Sequence, residues 1–176
     1  MIPVDIAGLQ VEETTGAPVV LLREHEAPHR VLPIFIGGPE AASIALALSS
    51  QTPPRPLTHD LLVSLVEHLD ARVERVEVTL LRDGVYFAEL AVSGPEGPQR
   101  LDSRPSDAIA LAVRVQAPLF VAEAVLDEAG AVVDVTGGEP PDEQAIEEEV
   151  AAFRSRLENL DPGHFPTDEP GGSGPE

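Results

Sequence analysis

Apolar residues alternate with polar or small ones in three early runs, Val4 to Val11, Val19 to Leu22 and Val31 to Ile36, separated by Thr14-Thr15-Gly16-Ala17 and by a second polar turn. Alternation with a period of two between turn residues predicts strands, here an antiparallel meander. The pattern then changes. Gly38-Pro39-Glu40 opens an alanine-rich stretch to Leu48, and a proline suited to the first helical turn predicts a helix of about three turns. A second helix is predicted from Leu57-Thr58-His59-Asp60: Thr58 reads as its N-cap, Asp60 lies in the first turn, Leu57 can staple to Leu62, and the apolar face continues through Leu65, Val66 and Leu69. Val73 to Leu81 alternates Val76, Val78 and Leu80 with Arg75, Glu77 and Thr79, and Asp83-Gly84 joins it to Val85 to Val92 as the clearest hairpin of the chain. Arg100 to Asp102 reads as a strand end. Pro105 opens a helix through Ile109, Leu111 and Val113 that stops before Pro118, and Leu119 to Val121 and Val132 to Val135 are short candidate strands around Glu123 to Glu128.

This order does not alternate strictly between strand and helix, which disfavours a doubly wound parallel sheet. It predicts an α+β fold, a mixed or antiparallel sheet with packed helices in a roll-like arrangement, over residues 1–136. Residues 137–141, Gly-Gly-Glu-Pro-Pro, read as a linker. Ile146, Val150, Phe153 and Leu157 form an apolar stripe at helical spacing, so 142–159 read as a C-terminal amphipathic helix. In residues 160–176, 8 of 17 positions are Gly or Pro, a composition that buries little apolar surface against its ordering entropy, and the segment reads as a disordered acidic tail.

Charge changes the picture. The 176 residues carry 31 acids against 11 bases, a formal charge of -20, and every base is arginine. Residues 1–126 hold 17 acids and 9 arginines (-8), and residues 127–176 hold 14 acids and 2 arginines (-12). A generic basic nucleic-acid binder is excluded, and with six aromatic residues stacking platforms for bases are scarce. The absence of cysteine removes disulfides, thiol nucleophiles and thiolate metal sites. No apolar run approaches the roughly 18 residues of a membrane span and the amino terminus lacks the features of a signal peptide, so a cytoplasmic protein without membrane contact is expected.

His25-Glu26-Ala27-Pro28-His29 matches the zinc-protease pattern H-E-x-x-H, but that chemistry needs both histidines on one helical face. Pro28 inside the motif and strand-like flanks predict a polar hairpin turn instead. Three helix starts carry more: Gly38-Pro39-Glu40, Arg55-Pro56-Leu57-Thr58-His59-Asp60, and Asp102-Ser103-Arg104-Pro105-Ser106-Asp107, each with an acid in the first turn. Those acids offset the positive end of the helix dipole. They are equally hard oxygen ligands, and Asp60, Asp102 and Asp107, with Glu40 as a further candidate, are the expected ligands of a Mg²⁺ or Mn²⁺ ion bridging to phosphate. His59 is the candidate proton acceptor from an attacking water, and Asp60, Arg104 and Asp107 complete the candidate catalytic set. Arg55, Arg104 and Ser106 are the candidate substrate-binding residues, because guanidinium forks fit phosphate oxygens.

Arg55-Pro56-Leu57-Thr58-His59-Asp60-Leu61, Ser103-Arg104-Pro105-Ser106-Asp107-Ala108 and Ala117-Pro118-Leu119-Phe120-Val121 resemble the most recognisable blocks of the bifunctional nuclease (BFN) domain family, especially its actinobacterial members. Pro33-Ile34-Phe35-Ile36-Gly37 with Glu40-Ala41 resembles its amino-terminal block. The resemblance covers roughly residues 2 to 130, with a looser echo over Phe153 to Phe165. It implies an α+β domain, commonly a homodimer, with nuclease activity on DNA and RNA, and it places the site at His59, Asp60, Asp102, Arg104, Ser106 and Asp107. The expected function is therefore a divalent-metal-assisted nuclease, a hydrolase of phosphodiester bonds with little sequence preference, that binds nucleic acid weakly and transiently. The alternative is a non-catalytic dimeric binding or regulatory module whose acidic C-terminal region contacts a protein partner. Convergence of the site residues in one cleft favours catalysis; separate helix caps favour the module.

Overall fold

The early alternation becomes β1 (Ile2–Val11), β2 (Pro18–Glu24) and β3 (Arg30–Phe35), an antiparallel meander with Leu22 opposite both Ile6 and Leu32, and Val20 opposite Ile34. Val20, Leu22, Leu32 and Ile34 thereby share one face and are all buried. In this computed structural model residues 1–51 and 53–132 are described, within a unit spanning Met1–Val135; the predicted linker, C-terminal helix and tail lie outside the described residues.

After β3 come α1 (Gly38–Leu48) and α2 (Thr58–His68), then β4 (Arg72–Arg82), β5 (Val85–Gly94) and β6 (Gly97–Ser103), then α3 (Pro105–Val115), β7 (Leu119–Val121), α4 (Glu123–Ala129) and β8 (Ala131–Val132). The β4–β5 turn is as predicted: Asp83 and Gly84 have φ of 51° and 76°, the two positive values of a type I′ hairpin. The segment Glu123 to Glu128, left unassigned by the sequence pattern, forms α4 around the buried Val125 and Leu126.

All eight strands form one sheet in the order β6-β5-β4-β7-β1-β2-β3-β8. The three-residue β7 joins its two meanders, running parallel to β4 (Val76↔Leu119, Val78↔Val121) and antiparallel to β1 (Ile2↔Val121, Val4↔Leu119). Fold class and mixed sheet are thus as expected. The sheet also curls: the Tyr86 hydroxyl on β5 donates to the Pro33 carbonyl on β3 at 3.4 Å, although four strands separate them in the sheet order, and α4 touches both β3 and β4.

Helix α3 lies centrally, with Ala108, Ile109, Ala110, Leu111 and Ala112 buried, and packs on α1, α2, β4 and β5. Small residues on α3 and on α1 (Ala41, Ala45) let the backbones approach closely. Helix α2 departs from expectation. Of its eleven residues only His59 is buried; Leu61, Leu62, Leu65 and Leu69 point outward, and Val66 sits on the half-buried side. The predicted apolar stripe is therefore not the face that meets the core, and Leu62 is too exposed to act as a staple. The rotation of the helix is set by its polar first turn. Leu57, not Thr58, is the N-cap, and the Asp60 carboxylate accepts from the Leu57 N–H at 2.7 Å.

Truncating a core residue on the segment that the sequence pattern left unassigned tests this packing. Leu126→Ala should cost about 2–5 kcal/mol, the usual range for a fully buried leucine, read as a lowered urea midpoint with an unchanged slope.

Candidate functional site at three helix starts

Three helices begin at one place. In each the third helical residue is an acid: Glu40 in α1 behind Gly37, Asp60 in α2 behind Leu57, and Asp107 in α3 behind Arg104. An acid at that position can reach back over its own first turn, where backbone N–H groups have no helical partner. At α1 the Glu40 carboxylate folds back over Gly37, where a Cβ would lie 2.2 Å from Oε2 and would make that side chain shift.

His59, the second residue of α2, sits among these starts with a side chain 9% exposed. Its Nε2 lies 3.2 Å from Asp107 Oδ1 and its Nδ1 lies 2.9 Å from the Ser43 hydroxyl. Arg104 grips Asp107 in a fork, Nε to Oδ2 at 2.6 Å and Nη2 to Oδ1 at 2.9 Å, and Nη2 also donates to Glu40 Oε1 at 2.8 Å. On the other side Arg114 donates from Nε to Asp60 Oδ1 at 2.6 Å, from Nη1 to the Ala110 carbonyl, and from Nη2 to the Ser43 hydroxyl at 2.9 Å and the Ser43 carbonyl at 3.2 Å. One continuous network thus joins Glu40, Ser43, His59, Asp60, Arg104, Asp107 and Arg114.

The electrostatics follow from these bonds. Burial, the largest single effect on Asp107, raises its pKa, but the hydrogen bonds and charge of Arg104 and His59 together outweigh it and hold the carboxyl below its ordinary value. Asp60 behaves alike, with burial opposed and exceeded by Arg114 and the Leu57 N–H. The Arg104 guanidinium is correspondingly stabilised in its charged form by Asp107 and Glu40. The three carboxylates, set against two guanidiniums, leave one net negative charge among the acids and arginines around His59.

The predicted site residues separate into two groups. His59, Asp60, Arg104 and Asp107 are brought together, and Glu40 joins them. Ser106 is buried at the second position of α3. Asp102 is placed elsewhere: on β6 it stands opposite Glu89, which stands opposite Glu77, whereas Ser103, Ala88 and Val78 occupy the neighbouring row of the other sheet face. Arg100 bridges Glu77 and Glu89 on the acidic face. Arg55 is exposed in the loop before α2. Among the described residues no three His, Cys, Asp or Glu side chains are grouped as metal ligands, and Asp60 and Asp107 already direct oxygens at arginines. The set Asp60, Asp102 and Asp107 therefore does not fit a ready Mg²⁺ or Mn²⁺ cage. The H-E-x-x-H segment forms the bend between β2 and β3, with His25 paired to Asp5 and His29 Nδ1 against the Glu24 carbonyl, as expected for a turn.

Residues 20–134, which contain every member of the network, match the family model for the bifunctional nuclease domain. The chain belongs to the bifunctional nuclease domain family. It is also 38% identical over 162 residues to an uncharacterized protein of Mycobacterium tuberculosis, covering 92% of this chain and 96% of that one. Bifunctional nuclease 1 of Arabidopsis thaliana is 28% identical over 107 residues, and bifunctional nuclease 1 of Oryza sativa subsp. indica 24% identical over 116. The matched stretch is 33% and 35% of those plant proteins, so this chain shares one domain of about a third of their length.

Two members of the family domain's network, Ser43 and Arg114, carry no sequence signal of their own. Ser43 sits in an alanine-rich helix and Arg114 reads as a basic residue of a last helical turn; only the three-dimensional meeting of α1, α2 and α3 gives them a partner.

The depressed carboxyls set the acid limit of the fold. A folded-state pKa below the unfolded value contributes stability that is present above the unfolded carboxylate range and is lost as pH falls through the folded value. Urea midpoints should fall progressively below about pH 4. In Asp107→Asn that acid dependence should be shallower, while the midpoint at pH 7 is lower than in the wild type.

Proposed function

We propose that the protein is a phosphodiesterase that hydrolyses DNA and RNA backbones with little sequence preference. The observation that carries the reading is the Asp107 carboxylate, partly open to solvent at the meeting of three helix N-termini and held from behind by a buried histidine and from the front by Arg104. Helix N-termini favour an incoming phosphate, and Arg104, with its side chain 66% exposed, presents its remaining N–H groups to phosphate oxygens, with Arg55 as a second contact. Asp107 orients the attacking water. His59 supports it rather than meeting that water, since both ring nitrogens are engaged.

The net negative charge of the network makes binding weak and salt-sensitive, because affinity for a polyanion comes largely from cations that displace its counterions. The same charge favours the second reading, a non-catalytic module, so the experiment must separate them. Plasmid DNA and a structureless RNA are incubated with highly purified protein in Mg²⁺, in Mn²⁺ and in EDTA. Cleavage should appear in the wild type and fall by about 100-fold or more in Asp107→Asn, the order expected when a group acting on the nucleophile is removed. Equal cleavage by the variant, or none by either, rejects the phosphodiesterase and leaves the module.

We also propose that two copies meet through α2. Leu61, Leu65 and Leu69 are 64%, 51% and 63% exposed and spaced four apart, so a two-fold axis at Leu65 sets Leu61 of each copy against Leu69 of the other. An exposed apolar stripe on one helix face is the kind of surface through which proteins associate. Light scattering should give twice the 18.6 kDa chain mass for the wild type and the single mass for Leu65→Glu with unchanged circular dichroism. A wild-type monomer, or a dimer that survives the substitution, overturns the contact.

A further inference from the structure

The buried side of the network has a direction. Arginine nitrogens only donate, so the Arg114 Nη2 proton aimed at Ser43 Oγ, 2.9 Å away, occupies one of that oxygen's lone pairs. The Ser43 hydroxyl hydrogen is then available to His59 Nδ1 at 2.9 Å. On the far side of the ring Asp107, its carboxyl held in the ionised form by Arg104, can only accept, so His59 Nε2 must carry a hydrogen. Each link is consistent with the next: Arg114 to Ser43, Ser43 to Nδ1, Nε2 to Asp107. Arg114 is itself aimed by Asp60 at 2.6 Å and by the Ala110 carbonyl at 2.8 Å, and Ser43 is 4% exposed, too deep to meet a substrate or act as a nucleophile. A serine, a histidine and an aspartate in a row here form a strut and not a hydrolase triad, because the hydroxyl lies at the closed end.

We propose that Ser43 and Arg114 are positioning residues: they hold His59 as the tautomer with hydrogen on Nε2 and so fix Asp107 in the orientation that acts on the phosphodiester. This rests on the phosphodiesterase reading of Asp107. The Ser43 hydroxyl keeps His59 Nδ1 an acceptor, and an alanine there leaves Nδ1 without its donor.

The test has one arm that does not depend on activity. Long-range ¹H–¹⁵N spectra of histidine-labelled protein are recorded at pH 8.5, above the ordinary imidazole range, and assigned by removing the other four histidines one at a time with His25→Gln, His29→Asn, His68→Gln and His164→Gln. The expected spectrum shows His59 with a protonated Nε2 and an unprotonated Nδ1; the opposite tautomer overturns the proposal. In the second arm, Ser43→Ala should lower kcat/KM about 10-fold, the scale of one lost hydrogen bond, and displace the His59 Nδ1 signal at pH 8.5, while Ser43→Thr restores both. A Ser43→Ala variant with unchanged kcat/KM and an unchanged Nδ1 signal overturns the proposal. Ser43→Ala leaves the Arg114–Asp60 pair intact, so its effect is not that of a lost ion pair. If Asp107→Asn cleaves normally, the phosphodiesterase reading fails by itself, and the nitrogen spectrum still reports whether Ser43 and Arg114 orient the ring.

Discussion

A buried imidazole cannot leave either nitrogen idle, and that requirement at His59 organises this half of the molecule. Leaving a buried polar group without a partner costs about 1–3 kcal/mol, so the ring needs one partner on each side. Those partners come from different helices: Ser43 from α1 and Asp107 from α3. Satisfying one side chain therefore locks three helices in rotation and separation. It explains why α2 stays attached although His59 is its one fully buried residue and its leucines face outward.

Each helix brings an acid at its third position, and three like charges drawn together would repel without compensation. Arginine supplies it in a way that lysine could not. Arg104 binds two carboxylates from two helices, and Arg114 binds a carboxylate, two backbone carbonyls and a hydroxyl, all with planar forks whose donors have fixed directions. A lysine-free chain loses nothing here and gains geometric definition. The cost falls on polyanion binding, since guanidiniums committed to carboxylates attract phosphate less.

The strands, the β4–β5 hairpin and the three long helices were legible from periodicity and turn chemistry, because those signals are local. Asp83-Gly84 needed nothing outside the turn to specify it. The convergence of His59, Arg104 and Asp107 was legible as three similar helix starts, yet their spacing in the chain could not say that Asp102, two residues before Arg104, turns to the other face of the sheet; strand alternation decided that. The α2 stripe misled for a related reason. Its leucines have the correct period for a core face, but a helix can be rotated by a few strong polar bonds in its first turn, and periodicity carries no information about which face is anchored. Ser43 and Arg114 were illegible because each is ordinary in its own helix and becomes specific only when α1 and α3 meet.

The net charge of -20 with no lysine is less an obstacle to a phosphate-directed role than its size suggests, because charge acts locally. Residues 1–126 carry -8 of it, and at physiological salt exposed charges farther apart than about 8 Å are largely screened from one another. Under the proposed activity, the described part of the site offers a phosphate one net negative charge, the starts of three helices and an exposed Arg104. These terms oppose one another at close range. For the proposed phosphodiesterase, such a balance would admit a substrate without holding it, and occupancy would respond to any change that removes a carboxylate from the first turns of α1, α2 or α3.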